Sequence, residues 1–328
     1  QRRKLSYLKD FINSSSDLIN DLSSNDTTVS NAYSSKLLFG NQNAEKMFNF
    51  LSGVDINHEI ASGKRILNDK QTIGDYAFFT SLMFNFGKKF SFQPGFRYAY
   101  NTKFDAPLVP SINIKWNAFS FLNVRASYVR GFRAPSIKEL FISFKDINHD
   151  IQPNDNLEPE KGNSFDLSFN FNTDKANKLH FTNIELSLFY NQIENIIYLA
   201  PINSSTANTF YKYINISYFN TFGGQLAFKY SFYPNFDYGF GFGHTGIYAS
   251  SDTKNSGINF YKFSPNASMN ASYLIPKWNV KVYLNYKYSG LNWNPTLSET
   301  TNEVKYGSLN PFHTIDLSII RKFLSNRL

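Results

Sequence analysis

The stretch Phe90-Ser91-Phe92-Gln93-Pro94-Gly95-Phe96-Arg97-Tyr98-Ala99-Tyr100-Asn101 decides the fold. In an extended chain, successive side chains point to opposite faces. Phe90, Phe92, Pro94, Phe96, Tyr98 and Tyr100 therefore share one face, and Ser91, Gln93, Gly95, Arg97, Ala99 and Asn101 share the other. The first face suits lipid and the second suits water.

The same period recurs along the chain. Phe165, Leu167, Phe169 and Phe171 alternate with Asp166, Ser168, Asn170 and Asn172, and Ile184, Leu186, Leu188 and Tyr190 with Asn183, Glu185, Ser187 and Asn191. Phe189 interrupts the polar side of the second set. Phe78, Leu82, Phe84 and Phe86 share a face, as do Leu122, Val124, Ala126 and Tyr128. Val282, Leu284, Tyr286 and Tyr288 lie opposite Lys281, Asn285 and Lys287, and Ile315, Leu317 and Ile319 alternate with Asp316 and Ser318. The pattern predicts about a dozen strands, each near the 9–11 residues that a tilted membrane crossing needs.

Composition agrees. Of 328 residues, 42% are hydrophobic, 18% aromatic (Phe 34, Tyr 21) and only 18% charged, against about 25% charged in a soluble domain. Mean hydropathy is nonetheless −0.36, and no apolar run is long enough for a membrane helix. A barrel reconciles the two, because only every second residue must be apolar. Absence of cysteine excludes disulfides and thiolate metal sites. The net charge of +8 is scattered, with no basic cluster longer than Arg2-Arg3-Lys4, so nucleic acid is not expected as a partner.

Connections sort into two classes. Gly87-Lys88-Lys89, Asn117-Ala118, Tyr233-Pro234-Asn235 and Pro276-Lys277 read as tight turns. Residues 62–74, 102–110, 131–162, 193–210, 250–258 and 290–311 read as long polar loops. A transmembrane barrel shows this asymmetry between its periplasmic and extracellular ends. Residues 1–45 read as an irregular strand and loop region, with an exposed loop at 13–35. Residues 49–61 return to a strand pattern, with Val54, Ile56 and Ile60 on one face. No signal peptide opens the chain, so a mature, truncated or partial sequence is expected.

Phosphate loops, dinucleotide fingerprints, paired metal spacings and nucleophile elbows are not found. His58, His149, His180, His244 and His313 are well separated. Neither an enzyme nor an intrinsic cofactor or metal is expected.

The most specific signal is at 119–172. A strand ends in Val124 to Arg130, followed by Gly131-Phe132-Arg133-Ala134-Pro135-Ser136-Ile137-Lys138-Glu139-Leu140. A long segment then leads to Asn154-Asp155-Asn156-Leu157-Glu158-Pro159-Glu160 and a new alternating strand. Pro135 should end ladder pairing, Ser136 and Glu139 have capping-box spacing, and Asn154 to Asn156 is turn chemistry. This pair of motifs resembles TonB-dependent outer-membrane receptors, whose barrels carry "GFRAPS-KEL", a long loop, and "N-x-NL-PE". Gln93 to Tyr98 and Asn191 to Ile197 are similar to the family as well. The resemblance covers roughly residues 50–328.

The resemblance implies a monomeric 22-stranded barrel closed by an N-terminal plug. It also implies active import across the bacterial outer membrane of a large nutrient, most naturally an iron complex such as a ferric siderophore or haem, with energy delivered from the inner membrane through the TonB complex. Neither plug nor TonB box is found in these residues. A dozen strands cannot close so large a barrel, and an open edge in lipid leaves backbone groups unsatisfied. The expectation is therefore all-β, a partial antiparallel transmembrane barrel spanning 1–328, completed by other segments. A passive porin-like channel and a soluble all-β binding or adhesion module are the alternatives.

Phe132, Arg133, Pro135, Asn154, Leu157 and Glu160 carry the motifs. Arg133 and Glu160 are expected to pair on neighbouring strands of the lumen wall, in a structural role rather than as substrate contacts. His149, between the motifs, matches by resemblance the loop histidine that ligates haem iron in haem receptors of the family. Trp116, Tyr261, Tyr283, Tyr286, Tyr288 and Trp293 are expected in a lipid-interface girdle.

Overall fold

The computed structural model describes residues 2–7, 26–41, 43, 46–145, 150–173, 179–202, 210–250, 261–297 and 304–321. In chain order the elements are β1 (Arg2–Tyr7), β2 (Asp26–Asn41), β3 (Phe48–Ser62), β4 (Lys70–Phe86), β5 (Phe90–Asn101), β6 (Val109–Phe119) and β7 (Leu122–Arg133). Then come α1 (Ile137–Phe141), β8 (Phe144–Lys145), β9 (Asp150–Gln152), β10 (Glu160–Asn172), β11 (His180–Ile202) and β12 (Phe210–Phe232). The last are β13 (Phe236–Ser250), β14 (Lys262–Ile275), β15 (Val280–Ser289), β16 (Asn292–Leu297), β17 (Val304–Leu309) and β18 (Phe312–Arg321). Among the described residues no helix is long and apolar enough to cross a membrane.

Fourteen of these strands form one up-and-down path, β1 through β7, then β10 through β15, then β18, each antiparallel to the next. Hydrogen-bonded neighbours satisfy the backbone polar groups, which is the condition for strands to enter a membrane at all. Register keeps the two faces consistent over the whole path. Ile112, Tyr128, Phe165, Tyr190 and Phe222 are successive cross-strand partners on the apolar face. Phe84 faces Phe92, and Tyr286 faces both Met269 and Ile315.

Apolar side chains are exposed here, as a lipid-contacting sheet requires: Tyr98, Tyr100 and Trp116 are 60%, 64% and 50% exposed. Several polar groups on this face bond one another. Ser52 Oγ and Thr80 Oγ1 are 2.8 Å apart. His58, His180 and His313 lie 2.8–2.9 Å from the hydroxyls of Tyr76, Tyr230 and Tyr286 respectively. On the other face Phe189 packs over Gly223, where an added Cβ would come within 2.7 Å of its ring.

Connections fall alternately at the two ends of the sheet. One end carries the connections 42–47, 87–89, 120–121, 173–179, 233–235 and 276–279; the other carries 63–69, 102–108, 134–159 and 290–311. Several sequence expectations need correction. Asn117 and Ala118 belong to β6, at a bulge, and the turn is Ser120-Phe121. Phe121 stacks on Phe119 with centroids 5.3 Å apart, so an aromatic pair closes the turn that the polar residues seemed to mark. Residues 26–35 of the expected 13–35 loop form part of β2, laddered to β1 over 26–31 and to β3 from Val29 onward. Residues 193–202 of an expected loop continue β11. Within 290–311, β16 and β17 form a separate hairpin.

Candidate functional site

The buried hydrophobic core lies at the long-loop end, not in the wall, because the wall turns its apolar face outward. Ala61, Ile66, Ile137, Leu140, Phe141, Leu157 and Tyr213 form it, with Ile197 and Leu199 packed alongside. It exists because segment 134–159 folds over the rim. Pro135, with no N–H, ends β7, and Ser136 caps α1: its hydroxyl accepts from Glu139 N at 3.3 Å while Ser136 N donates to Glu139 Oε2 at 2.7 Å. The reciprocal bonds satisfy two otherwise orphaned donors. Positions i, i+3 and i+4 place Ile137, Leu140 and Phe141 on the buried face, at about 1.5–3 kcal/mol per large side chain removed from water. Ile142, in extended conformation, ends the helix and bridges to Ile66.

Arg133 closes the base of this cap. It faces Glu160 in register. Its Nε and Nη2 donate to the two Glu160 carboxylate oxygens at 2.8 and 2.6 Å, and Nη1 donates to Glu139 at 3.1 Å. Burial alone would raise the Glu139 carboxyl, but bonds from Ser136 and Arg133 hold it below the usual carboxylate range.

The second motif ties the segment to β11 and β12. Asn154 N donates to Glu139 O at 3.0 Å, Asn154 Nδ2 donates to Tyr213 O at 2.9 Å, and Asn156 N donates back to Asn154 Oδ1 at 3.1 Å. Glu158 N donates to Asn215 Oδ1 at 2.8 Å, and Asn195 Nδ2 donates to Glu158 Oε2 at 2.6 Å. Asn195 takes a left-handed φ of 57°, a conformation asparagine tolerates. Beyond it, Ile197 N donates to Glu160 Oε1 at 2.8 Å. β9 then pairs in parallel with the start of β12, in the place that β13 leaves free there.

The structure thus brings Phe132, Arg133, Pro135, Asn154, Leu157 and Glu160 into one assembly. Phe132 is half-buried in β7, while Pro135 and Leu157 are buried. His149 lies outside the described residues. Sequence reasoning missed Glu139 as the second partner of Arg133, although the capping-box spacing had singled it out, and missed the roles of Asn195, Asn215 and Tyr213. It also missed a polar-face triad in which Arg97 bonds Asp55 at 3.1 Å and Asp75 at 3.0 Å, joining β3, β4 and β5. A recess of about 360 Å³ between this triad and Arg133 is lined by Asn57, Asn101 and Pro135 among others.

The aromatic expectation divides. Trp116, Tyr286 and Tyr288 lie on the apolar face, and Tyr261 packs edge-on against Phe222 of that face. Tyr283 lies on the opposite face, facing Ser272 and Ser318. Trp293 belongs to the β16–β17 hairpin: its Nε1 donates to Phe263 O at 2.9 Å, and Lys262 sits 5.2 Å over its ring. That hairpin is therefore docked against the long-loop ends of β13 and β14, where Tyr306 also bonds Ala249. Among the described residues no group of His, Asp or Glu could hold a metal ion.

Comparison with known proteins agrees with this architecture. A family model described as TonB dependent receptor-like, beta-barrel matches residues 3–324. The chain is 27% identical over 208 residues to Heme/hemopexin utilization protein C of Haemophilus influenzae, covering 54% of this chain and 29% of that protein. It is 29% identical over 97 residues to probable hemoglobin and hemoglobin-haptoglobin-binding protein 4 of the same species, covering 30% of this chain and 9% of that one. The chain thus spans less than a third of these relatives. In fold it is similar to the FrpB iron transporter from Neisseria meningitidis, with a TM-score of 0.64 and 15% identity over 90% of this chain and 48% of that one. It is similar also to the siderophore receptor PirA from Pseudomonas aeruginosa, with a TM-score of 0.65 and 12% identity over 90% and 58%.

Proposed function

Since the chain belongs to the TonB-dependent receptor family, in its β-barrel domain, we propose that it forms part of the wall of a bacterial outer-membrane importer for an iron complex, haem foremost. The carrying observation is the two-faced fourteen-strand sheet whose tightest turns, 87–89, 120–121, 233–235 and 276–279, fall at one end and whose longest connections, 134–159 and 290–311, fall at the other. The apolar face meets lipid, the polar face lines the lumen, and the long-loop end is extracellular. Haem is favoured over a ferric siderophore because the curated relatives above carry haem- or haemoglobin-utilization names. The chain's part is structural and recognitive rather than enzymatic. Energy would come from TonB through a domain that fills the lumen, and further strands would complete the ring.

The cap over the long-loop end holds segment 134–159 against β11 and β12. The Arg133 clasp fixes where that segment leaves and re-enters the wall, and we assign it a structural role. His149, one residue before β9, is the proposed axial ligand to haem iron, since neutral imidazole binds iron well. Purified full-length receptor should bind haem with a shifted Soret band. His149→Ala should weaken binding and alter that band, and unchanged affinity and spectrum would remove His149 from the site.

A further inference from the structure

We propose that Lys115 and Arg125 form a carboxylate-binding site on the lumen wall near its short-turn end. The two residues lie directly opposite each other on β6 and β7, where Cβ atoms are about 4.5–5.5 Å apart and like charges destabilise the sheet. Among the described residues neither forms an ion pair. Arg97 and Arg133, on the same face, are each held between two carboxylates. Arg125 has instead a lysine across one ladder and Ser168 across the other.

The space in front of them is a cavity of about 730 Å³, lined also by Asn85, Lys88, Gln93 and Asn113. Its acid, Asp166, accepts from the hydroxyls of Ser127 and Ser164 at 3.3 and 3.5 Å. Three cations, Lys88, Lys115 and Arg125, thus line one polar cavity with a single acid. A ligand carboxylate placed between Lys115 and Arg125 satisfies both. Such a carboxylate has two sources: an Asp or Glu of a polypeptide segment lying in the lumen, or the acid groups of the cargo.

Carbodiimide coupling of the full-length receptor in its native membrane tests this, because the reagent joins an amine only to a carboxylate in contact with it. Peptide mapping should find Lys115 Nζ in amide linkage. Linkage to an Asp or Glu with or without haem identifies a polypeptide occupant; linkage to a haem carboxylate, seen only with haem added, identifies cargo. Arg125→Gln should lower the yield about tenfold, the effect of losing one charge-assisted hydrogen bond. Arg125→Lys, which keeps the charge, should retain most of it. No amide link at Lys115 in either condition overturns the proposal, and ready acetylation of the same lysine would then mark it as a solvated amine.

Discussion

Arg133 presents three nitrogens to two carboxylates, and that geometry explains why arginine and not lysine stands there. A planar guanidinium can grip Glu160 with two parallel bonds while a third nitrogen reaches Glu139; an ammonium cannot. The site is half-exposed, so water screens part of the gain. Arg133→Ala or Arg133→Lys should cost the cap about 1–2 kcal/mol, read as about a tenfold rise in hydrogen exchange at the α1 amides, with the neighbouring ladder unchanged. Glu139 gives the same cap a pH dependence. Its folded carboxyl is held below the usual range, while in the opened state it titrates near about 4.3. Its contribution is thus complete above the ordinary carboxylate range and is lost as pH falls through the lowered folded value. Protection of α1 should fall with acidification over that window, and Glu139→Gln should start low and lose little more.

At the scale of the element, legibility follows lipid. Where a strand has one face in hydrocarbon, strict alternation is enforced, and Phe90–Asn101 or Leu122–Arg133 can be read directly from sequence. β11 and β12, with 23 residues each, exceed the 9–11 of a tilted crossing. In a bilayer their outer halves would stand clear of the hydrocarbon, where neither face must be apolar. Residues 193–202 therefore carry no clean period and read as loop, an impression strengthened by the left-handed Asn195. β2 was obscured for a related reason: Ser30, Asn31, Ser34 and Ser35 put polar residues on both faces, and the ladder to β3 fixes the strand. At the cap, Arg133 and Glu160 were legible as partners because both sit in recognisable motifs. The bonds of Asn195 and Asn215 to Glu158 were not, since they join residues 37 and 57 positions apart. The face assignment has a direct test in two adjacent residues of β11. Leu188 faces Leu167 on the apolar side and Ser187 faces Ser168 on the polar side. Leu188→Arg should cost about 2–4 kcal/mol of folding stability in lipid vesicles by urea titration, and Ser187→Arg close to none. Equal effects would sink the assignment.

For the whole molecule, the sheet is a path with two ends: among the described residues β1 and β18 pair inward only, and every side chain of β18 is exposed. An unpaired strand edge in hydrocarbon costs several kcal/mol per backbone group, so the wall works in lipid only as part of a closed ring. The fourteen strands among the described residues fall short of the 22 of a plugged outer-membrane transporter, which fits a wall that other strands complete. A ring that wide would leak if it stood open, and this separates an energised importer from a passive channel. The central claim is tested most directly by uptake of radiolabelled haem in cells that carry the full-length receptor, with and without TonB. The account predicts that deleting TonB abolishes uptake above background while haem still binds at the cell surface. Uptake at the same rate without TonB would contradict it and make the protein a passive pore.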